Sequence, residues 1–130
     1  MRTSRSTAYA LLAMAYIAKR PNEKIILSQN ISQEYNIPLE YLLKILQQLV
    51  RANILMSKRG PHGGFSLATP IKKVSMLQVI EAVEGPLASQ LNLEEHSKEK
   101  FCDKIENAYK KSIEDARASF DKIKLSSIID

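Results

Sequence analysis

Lys44, Lys58, Arg59 and His62 are the side chains in this 130-residue chain whose types and placing suit recognition of a polyanion. Lys44 lies among Glu40, Gln47, Gln48 and Arg51, all long enough to reach phosphates or base edges, while Lys58, Arg59 and His62 surround a glycine cluster. Catalysis has much less to stand on. The histidines are His62 and His96, the only cysteine is Cys102, and no P-loop, dinucleotide fingerprint, HExxH or GxSxG pattern occurs. We therefore assign no catalytic residue and no metal ligand, and expect a binding protein rather than an enzyme.

The polar side chains need a rigid carrier. Between Pro38 and Arg51, apolar residues at Leu39, Leu42, Leu43, Leu46, Leu49 and Val50 mark one face of a helix, with Glu40, Lys44, Gln47, Gln48 and Arg51 opposite and Tyr41 at the start. Pro38 suits a first helical position, where its missing N–H costs nothing. A shorter helix is expected from Ser28, a candidate N-cap, to Tyr35, with Ile31 and Tyr35 inward and Asn36-Ile37-Pro38 as the turn. In such a helix-turn-helix the second helix enters the DNA major groove by its N-terminal residues. Ile54–Arg59 and Phe65–Ala68 then flank Gly60-Pro61-His62-Gly63-Gly64, which reads as a two-stranded wing. Its glycines supply positive φ angles and leave no side chain to block a phosphate backbone.

Within this frame Lys44 is the strongest base-reading candidate. Glu40 could accept from cytosine N4 or simply favour the helix N-terminus. Tyr41 is either a packing residue or a groove contact. His62 is a DNA contact, a solvated residue or, with nothing nearby to complete a site, a metal ligand. Gln47, Gln48 and Arg51 lie further from the entering end and suit backbone or solvent. The candidate DNA-binding set is Arg2, Ser4, Arg5, Ser28, Pro38, Leu39, Glu40, Tyr41, Lys44, Lys58, Arg59, Gly60, Pro61, His62 and Gly63. Ser4 and Arg5 enter because hydroxyls and free N–H groups ahead of a first helix favour phosphate, a role compatible with Ser6 or Thr7 as its N-cap.

The order Tyr9-Ala10-Leu11, Tyr41-Leu42 with Ile45 and Leu49, Arg59-Gly60-Pro61-His62-Gly63-Gly64-Phe65, Leu67-Ala68, Val79-Ile80 and Val83-Glu84-Gly85 resembles the bacterial IscR/NsrR/CymR family of winged-helix transcription regulators. The resemblance is strong over roughly the first two-thirds of the chain. It implies that helix and wing bind double-stranded DNA as a homodimer. In that family the segment after the Glu-Gly often carries three cysteines that hold an iron-sulfur cluster. This chain departs there, with Cys102 alone, so we expect no cofactor and treat Cys102 as an inert thiol or a direct sensor.

Charge and length agree with a DNA partner. Residues 1–73 carry 11 Lys and Arg against 3 acids, a net of +8, whereas residues 74–130 carry 8 against 11, a net of −3. The basic half holds the helix and the wing, the footprint expected for a phosphate backbone. Arg2 and Arg5 before the apolar run Ala8–Ala18 have the outline of a secretion signal, but the run also fits a first helix with Tyr9, Leu12, Ala13, Tyr16 and Ile17 on one side. We read it as that helix, with no membrane partner, and expect a cytoplasmic protein.

The remainder frames the domain. Ile25-Ile26-Leu27 is a candidate strand against the wing, and Ser75-Met76-Leu77-Gln78 has the form of a capping box opening a helix that stops at Gly85. Met76, Val79, Ile80 and Val83 are its expected core face, and the methionines read as core filling. Residues 87–99 lack a period and read as a loop. From Phe101, the positions Ile105, Tyr109, Ile113, Ala116, Phe120 and Ile123 recur at steps of three or four, predicting a helix over Ser97–Lys124, on the order of 40 Å long. So small a domain cannot cover such a helix, so its stripe should pack on a second copy or fold back on the first helix; we favour the dimer. Glu106, Lys110 and Glu114 form i,i+4 pairs expected only to decorate its exposed face.

The expected fold is mostly α with a small β-hairpin wing: a winged helix-turn-helix over 1–85, a loop over 86–99, and a long C-terminal dimerisation helix and tail over 100–130. The expected function is a sequence-specific transcriptional regulator, a repressor, acting as a homodimer on a pseudo-palindromic operator, with no effector assigned. The alternative is a winged-helix protein-interaction module, which an apolar outer face on Pro38–Arg51 would favour.

Overall fold

The burial of one helix face sets the arrangement. In the computed structural model, which describes residues 5–129, the helices are α1 (Arg5–Ala18), α2 (Ser28–Tyr35), α3 (Leu39–Arg51), α4 (Met76–Glu84) and α5 (Lys100–Lys122). Strands β1 (Leu55–Lys58) and β2 (Gly64–Leu67) lie between α3 and α4, and 3-10 turns occur at Ile71–Lys73, Leu93–Glu95 and Leu125–Ser127. This is the mostly helical winged architecture the sequence predicts. No helix among the described residues is long and apolar enough to cross a membrane.

Helix α3 buries Leu42, Ile45, Leu46 and Leu49, an i, i+3, i+4, i+7 set. The buried face is therefore rotated from the expected one: Ile45 is 1% exposed and Leu43 is 36% exposed. The helix is apolar around much of its circumference, and the helices packed on it, α1, α2 and α4, select which part is covered. The same holds for α1, which buries Ala10, Ala13, Met14, Tyr16 and Ile17 while Leu12 turns outward. Small alanines on that face let α1 approach α3 and α4 closely. Thr7 is buried within α1 and donates to Glu84 Oε1 at 2.7 Å, tying α1 to α4.

The helix ends follow local chemistry, with corrections at several of them: α1 already includes Arg5, so Ser6 and Thr7 lie inside it rather than at its N-cap, and α5 runs from Lys100 to Lys122 rather than from Ser97 to Lys124. Leu27, not Ser28, is the N-cap of α2, and Ser28 is its buried first residue. Pro38 is the N-cap of α3, one position earlier than expected. Asn36 closes α2 in the left-handed conformation at φ 54°, where a short polar side chain is tolerated. The capping box at α4 forms: the Gln78 amide donates to Ser75 Oγ at 3.2 Å and the Ser75 amide donates to Gln78 Oε1 at 2.7 Å. Gly85 ends α4 at φ 86°. Leu77, Val79 and Ile80 are buried on α4, with Met76 and Val83 only partly covered. Met14 fills the core, whereas Met56 is 51% exposed and does not.

The wing pairs Leu55 with Leu67, Met56 with Ser66, Ser57 with Phe65 and Lys58 with Gly64. Ile26 joins as a bridge to Phe65, their amides and carbonyls meeting at 2.8 and 2.9 Å. Buried Ile26 and Phe65 thus anchor the wing to the core.

The end of the chain, expected only as a tail, returns to the core. Lys124 bridges Ser75, the Leu125 amide donates to the Val74 carbonyl at 2.9 Å and the Met76 amide to the Ile123 carbonyl at 2.8 Å. Leu125, 1% exposed, belongs to the same core cluster as α1 and α3. Helix α5 packs against α4 and, at 23 residues, is about 35 Å long.

Candidate nucleic-acid interface

The turn between α2 and α3 fixes how the second helix follows the first. The Ile37 amide donates to the Ser32 carbonyl at 3.0 Å, and Ile37 is 2% exposed. No side chain caps either α2 or α3; in α2 the Asn30 amide is taken by the Leu27 carbonyl at 3.1 Å, and the positive dipole ends of both helices favour an anion.

Opposite its buried face α3 presents Glu40, Lys44, Gln47 and Arg51 to solvent, with Gln48 half-buried. Pro38 is exposed and Leu39 half-buried at the N-terminal end of α3. Of the two roles the sequence left open for Tyr41, the structure displays the packing one. Its ring packs edge-on against Tyr9 with centroids 5.5 Å apart, and its hydroxyl hydrogen-bonds Ser6 Oγ at 2.8 Å, yet it stays 41% exposed. That bond sets the start of α1, with exposed Arg5, beside the N-terminal end of α3. Arg2 and Ser4 lie outside the described residues.

On the other side, a groove of about 250 Å³ between the wing and the two helices is lined by Ser28, Gln29, Gln47, Ser57, Lys58 and Arg59, among others. Lys58, Arg59, Gly60, Pro61 and His62 are all exposed at the tip. Gly60 supplies the positive φ, 103°, with open space around it. Gly63 is needed for a different reason than expected: a Cβ there would collide with the Lys58 carbonyl inside the hairpin. One cation of the basic half is used structurally, since Arg20 lies 3.4 Å from the Tyr16 ring centroid and donates to the Tyr16 carbonyl at 3.0 Å.

Away from this face, carboxylates fix the segment after α4. Glu81 accepts from Arg117 at 2.9 and 3.1 Å and from the Leu87 amide at 3.0 Å. Glu106 does not decorate the surface with Lys110; it accepts the Leu91 and Leu93 amides at 3.1 and 2.8 Å, around Asn92 in the left-handed conformation. The i,i+4 pair that forms on α5 is Lys111 with Asp115 at 3.3 Å. The Arg117 hydrogen bond holds the Glu81 carboxyl below its ordinary value of 4.5, burial opposing it. The Leu93 and then Leu91 amides hold Glu106 below 4.5 in the same way. A depressed carboxylate contributes stability that is present above its unfolded pKa and lost as pH falls through its folded pKa. In wild type the Leu91 and Leu93 amide resonances should therefore titrate together with a midpoint below 4.5, and Glu106→Gln should remove that titration. Separate midpoints, or a shared one above 4.5, would contradict the clasp.

Both the sequence and the fold have known counterparts. Residues 3–130 match the Rrf2 model, described as an iron-dependent transcriptional regulator. The chain is 37% identical over 84 residues to a protein of Rhodopseudomonas palustris named as the HTH-type transcriptional regulator BadM, covering 65% of this chain and 53% of that protein. It is 34% identical over 87 residues to the HTH-type transcriptional regulator IscR of Cereibacter sphaeroides, covering 65% of this chain and 56% of that protein. The chain thus spans about half the length of the curated relatives it matches. In three dimensions it is similar to CymR, the global cysteine regulator of Bacillus subtilis, with a TM-score of 0.79 over 99% of this chain and 96% of that one at 22% identity, a likeness of fold. The iron in the family description does not fit the donors present. Among the described residues no group of three or more His, Cys, Asp or Glu is placed to hold a metal ion, and Cys102, the single thiol, is buried.

Proposed function

The chain belongs to the Rrf2 family of transcriptional regulators, and from that premise we propose that it binds a specific double-stranded DNA site as a homodimer and represses transcription by occluding a promoter. The observation that carries the reading is the polar outward strip of α3, flanked by the basic wing tip on one side and by Arg5 on the other. Lys44 reads base edges near the entering end; Arg59, Lys58 and the amides of the wing hold phosphates, which positions the helix without carrying sequence information. Residues 1–85 make the reading unit, 86–99 a clasped loop, and 100–130 the dimerisation helix, whose tail closes the core through Leu125.

Apolar surface supports the dimer reading. Phe101, Ile105 and Tyr109, spaced one turn apart on α5, are 52%, 46% and 36% exposed, while Ile113, Ala116, Phe120 and Ile123 are already half-covered within the chain. The first three therefore form the centre of the interface between copies. A two-fold dimer of this kind reads an inverted repeat with half-sites about one helical turn, roughly 34–36 Å, or a multiple of it apart. Selection of bound fragments from genomic DNA should return such a repeat; enrichment without a shared motif would contradict sequence-specific reading.

We read the protein as cluster-free and cytoplasmic, with Glu81 and Glu106 ordering the loop that relatives with three cysteines use for a cluster. Anaerobic purification should give protein without stoichiometric iron and sulfide. Iron and sulfide at one cluster per chain, with a visible charge-transfer band, would overturn that reading.

A further inference from the structure

The outward strip of α3 is polar with one exception. Glu40, Leu43, Lys44 and Gln47 occupy i, i+3, i+4 and i+7 positions and so lie on one side of the helix, with Leu43 at its edge and 36% exposed. The other exposed apolar residue of α3, Tyr41, is committed to Tyr9 through its ring and to Ser6 through its hydroxyl. Leu43 lies on the flank of the strip next to Gln47, which lines the groove leading to Lys58 and Arg59. An aliphatic side chain among charged and amide neighbours gains only from a partner that offers apolar surface at that one spot. In a major groove the apolar feature on the base edges is the C5-methyl of thymine.

We propose that Leu43 is a specificity residue that covers the C5-methyl of one thymine in each half-site. The inference rests on the DNA-reading function above and extends it to a base. Adjacent Cα atoms lie about 3.8 Å apart, close to the roughly 3.4 Å between base pairs, so this thymine sits within about one or two steps of the base that Lys44 contacts. Lys44 supplies charge and donors; Leu43 supplies discrimination of thymine from cytosine and from unmethylated uracil.

Replacing thymine by deoxyuridine removes that methyl and nothing else, which makes the test direct. Each thymine of the selected site is changed in turn, and affinity is measured for the intact wild-type chain and for Leu43→Ala, with thermal unfolding as the check that the exposed position leaves the fold intact. Wild type should lose about three- to tenfold at one thymine per half-site. Leu43→Ala should bind the thymine and deoxyuridine forms equally. A wild type indifferent to every replacement, or a Leu43→Ala variant that keeps the full penalty, overturns the assignment of Leu43 while salt-dependent binding still upholds DNA reading. Absence of binding to any selected DNA overturns both.

Discussion

Ile105→Asp combined with Tyr109→Asp should leave a folded monomer that has lost operator binding. Both side chains are exposed, at 46% and 36%, so the single chain does not need them, and their charges become costly only where a second copy covers them. Burying two unpaired carboxylates against an apolar surface costs several kcal/mol, enough to dissociate a dimer of ordinary interface size. The choice of positions matters. Ile113 and Phe120 lie on the same stripe but are half-buried against the rest of their own chain, so charges there would disturb folding as well as association. Separating the two reading heads removes the effective concentration by which the first half-site recruits the second, a loss on the order of 10²-fold or more. Sedimentation equilibrium and a binding titration on the same preparations check this. A dimer unaffected by the double change would place the interface elsewhere.

Leu125→Ala should destabilise the fold by about 2–5 kcal/mol, the usual cost of emptying a fully buried leucine site. Against a total of roughly 5–15 kcal/mol for a domain, that is a large fraction. Leu125 is 1% exposed, in the cluster that includes Leu42, Leu46 and Val74, and its backbone is bonded to Val74. Ile128, three residues on and 56% exposed, serves as the control: Ile128→Ala should change stability by less than about 0.5 kcal/mol. Denaturant unfolding of the two variants separates them. Equal, small effects would mean that the tail does not close the core.

Features with a local signature are legible in the sequence. The capping box at Ser75, the stop at Gly85, the hairpin around Gly60 and Gly63, and the repeat along α5 are each set by residues within a few positions of one another. The rotation of α3 is not legible. Apolar residues at Leu39, Leu42, Leu43, Ile45, Leu46, Leu49 and Val50 allow more than one buried face, and only the packing of α1, α2 and α4 selects Ile45 over Leu43. Helix α1 behaves alike, with Leu12 outside and Ala10 inside. The return of Leu125 and the hold of Glu106 on the Leu91 and Leu93 amides are illegible for a second reason. Both join segments far apart in sequence through single side chains or backbone bonds, which leave no period to detect. In the candidate interface, the wing and the strip are what the sequence proposes, while the tie between Tyr41 and Ser6 emerges only from the fold.

The strip of α3 and the wing are expected to meet DNA in different ways, and a salt titration of three proteins on the selected site tests this most directly. Wild-type affinity should fall steeply as salt rises, with a log–log slope that counts the neutralised phosphates. Arg59→Ala should weaken all sequences evenly and flatten the slope by about one unit for each phosphate left unneutralised. Lys44→Ala should instead cost about 1–3 kcal/mol on the preferred base at one position of each half-site, narrowing the gap between specific and random DNA. An affinity independent of salt, or no loss in either variant, would contradict the account.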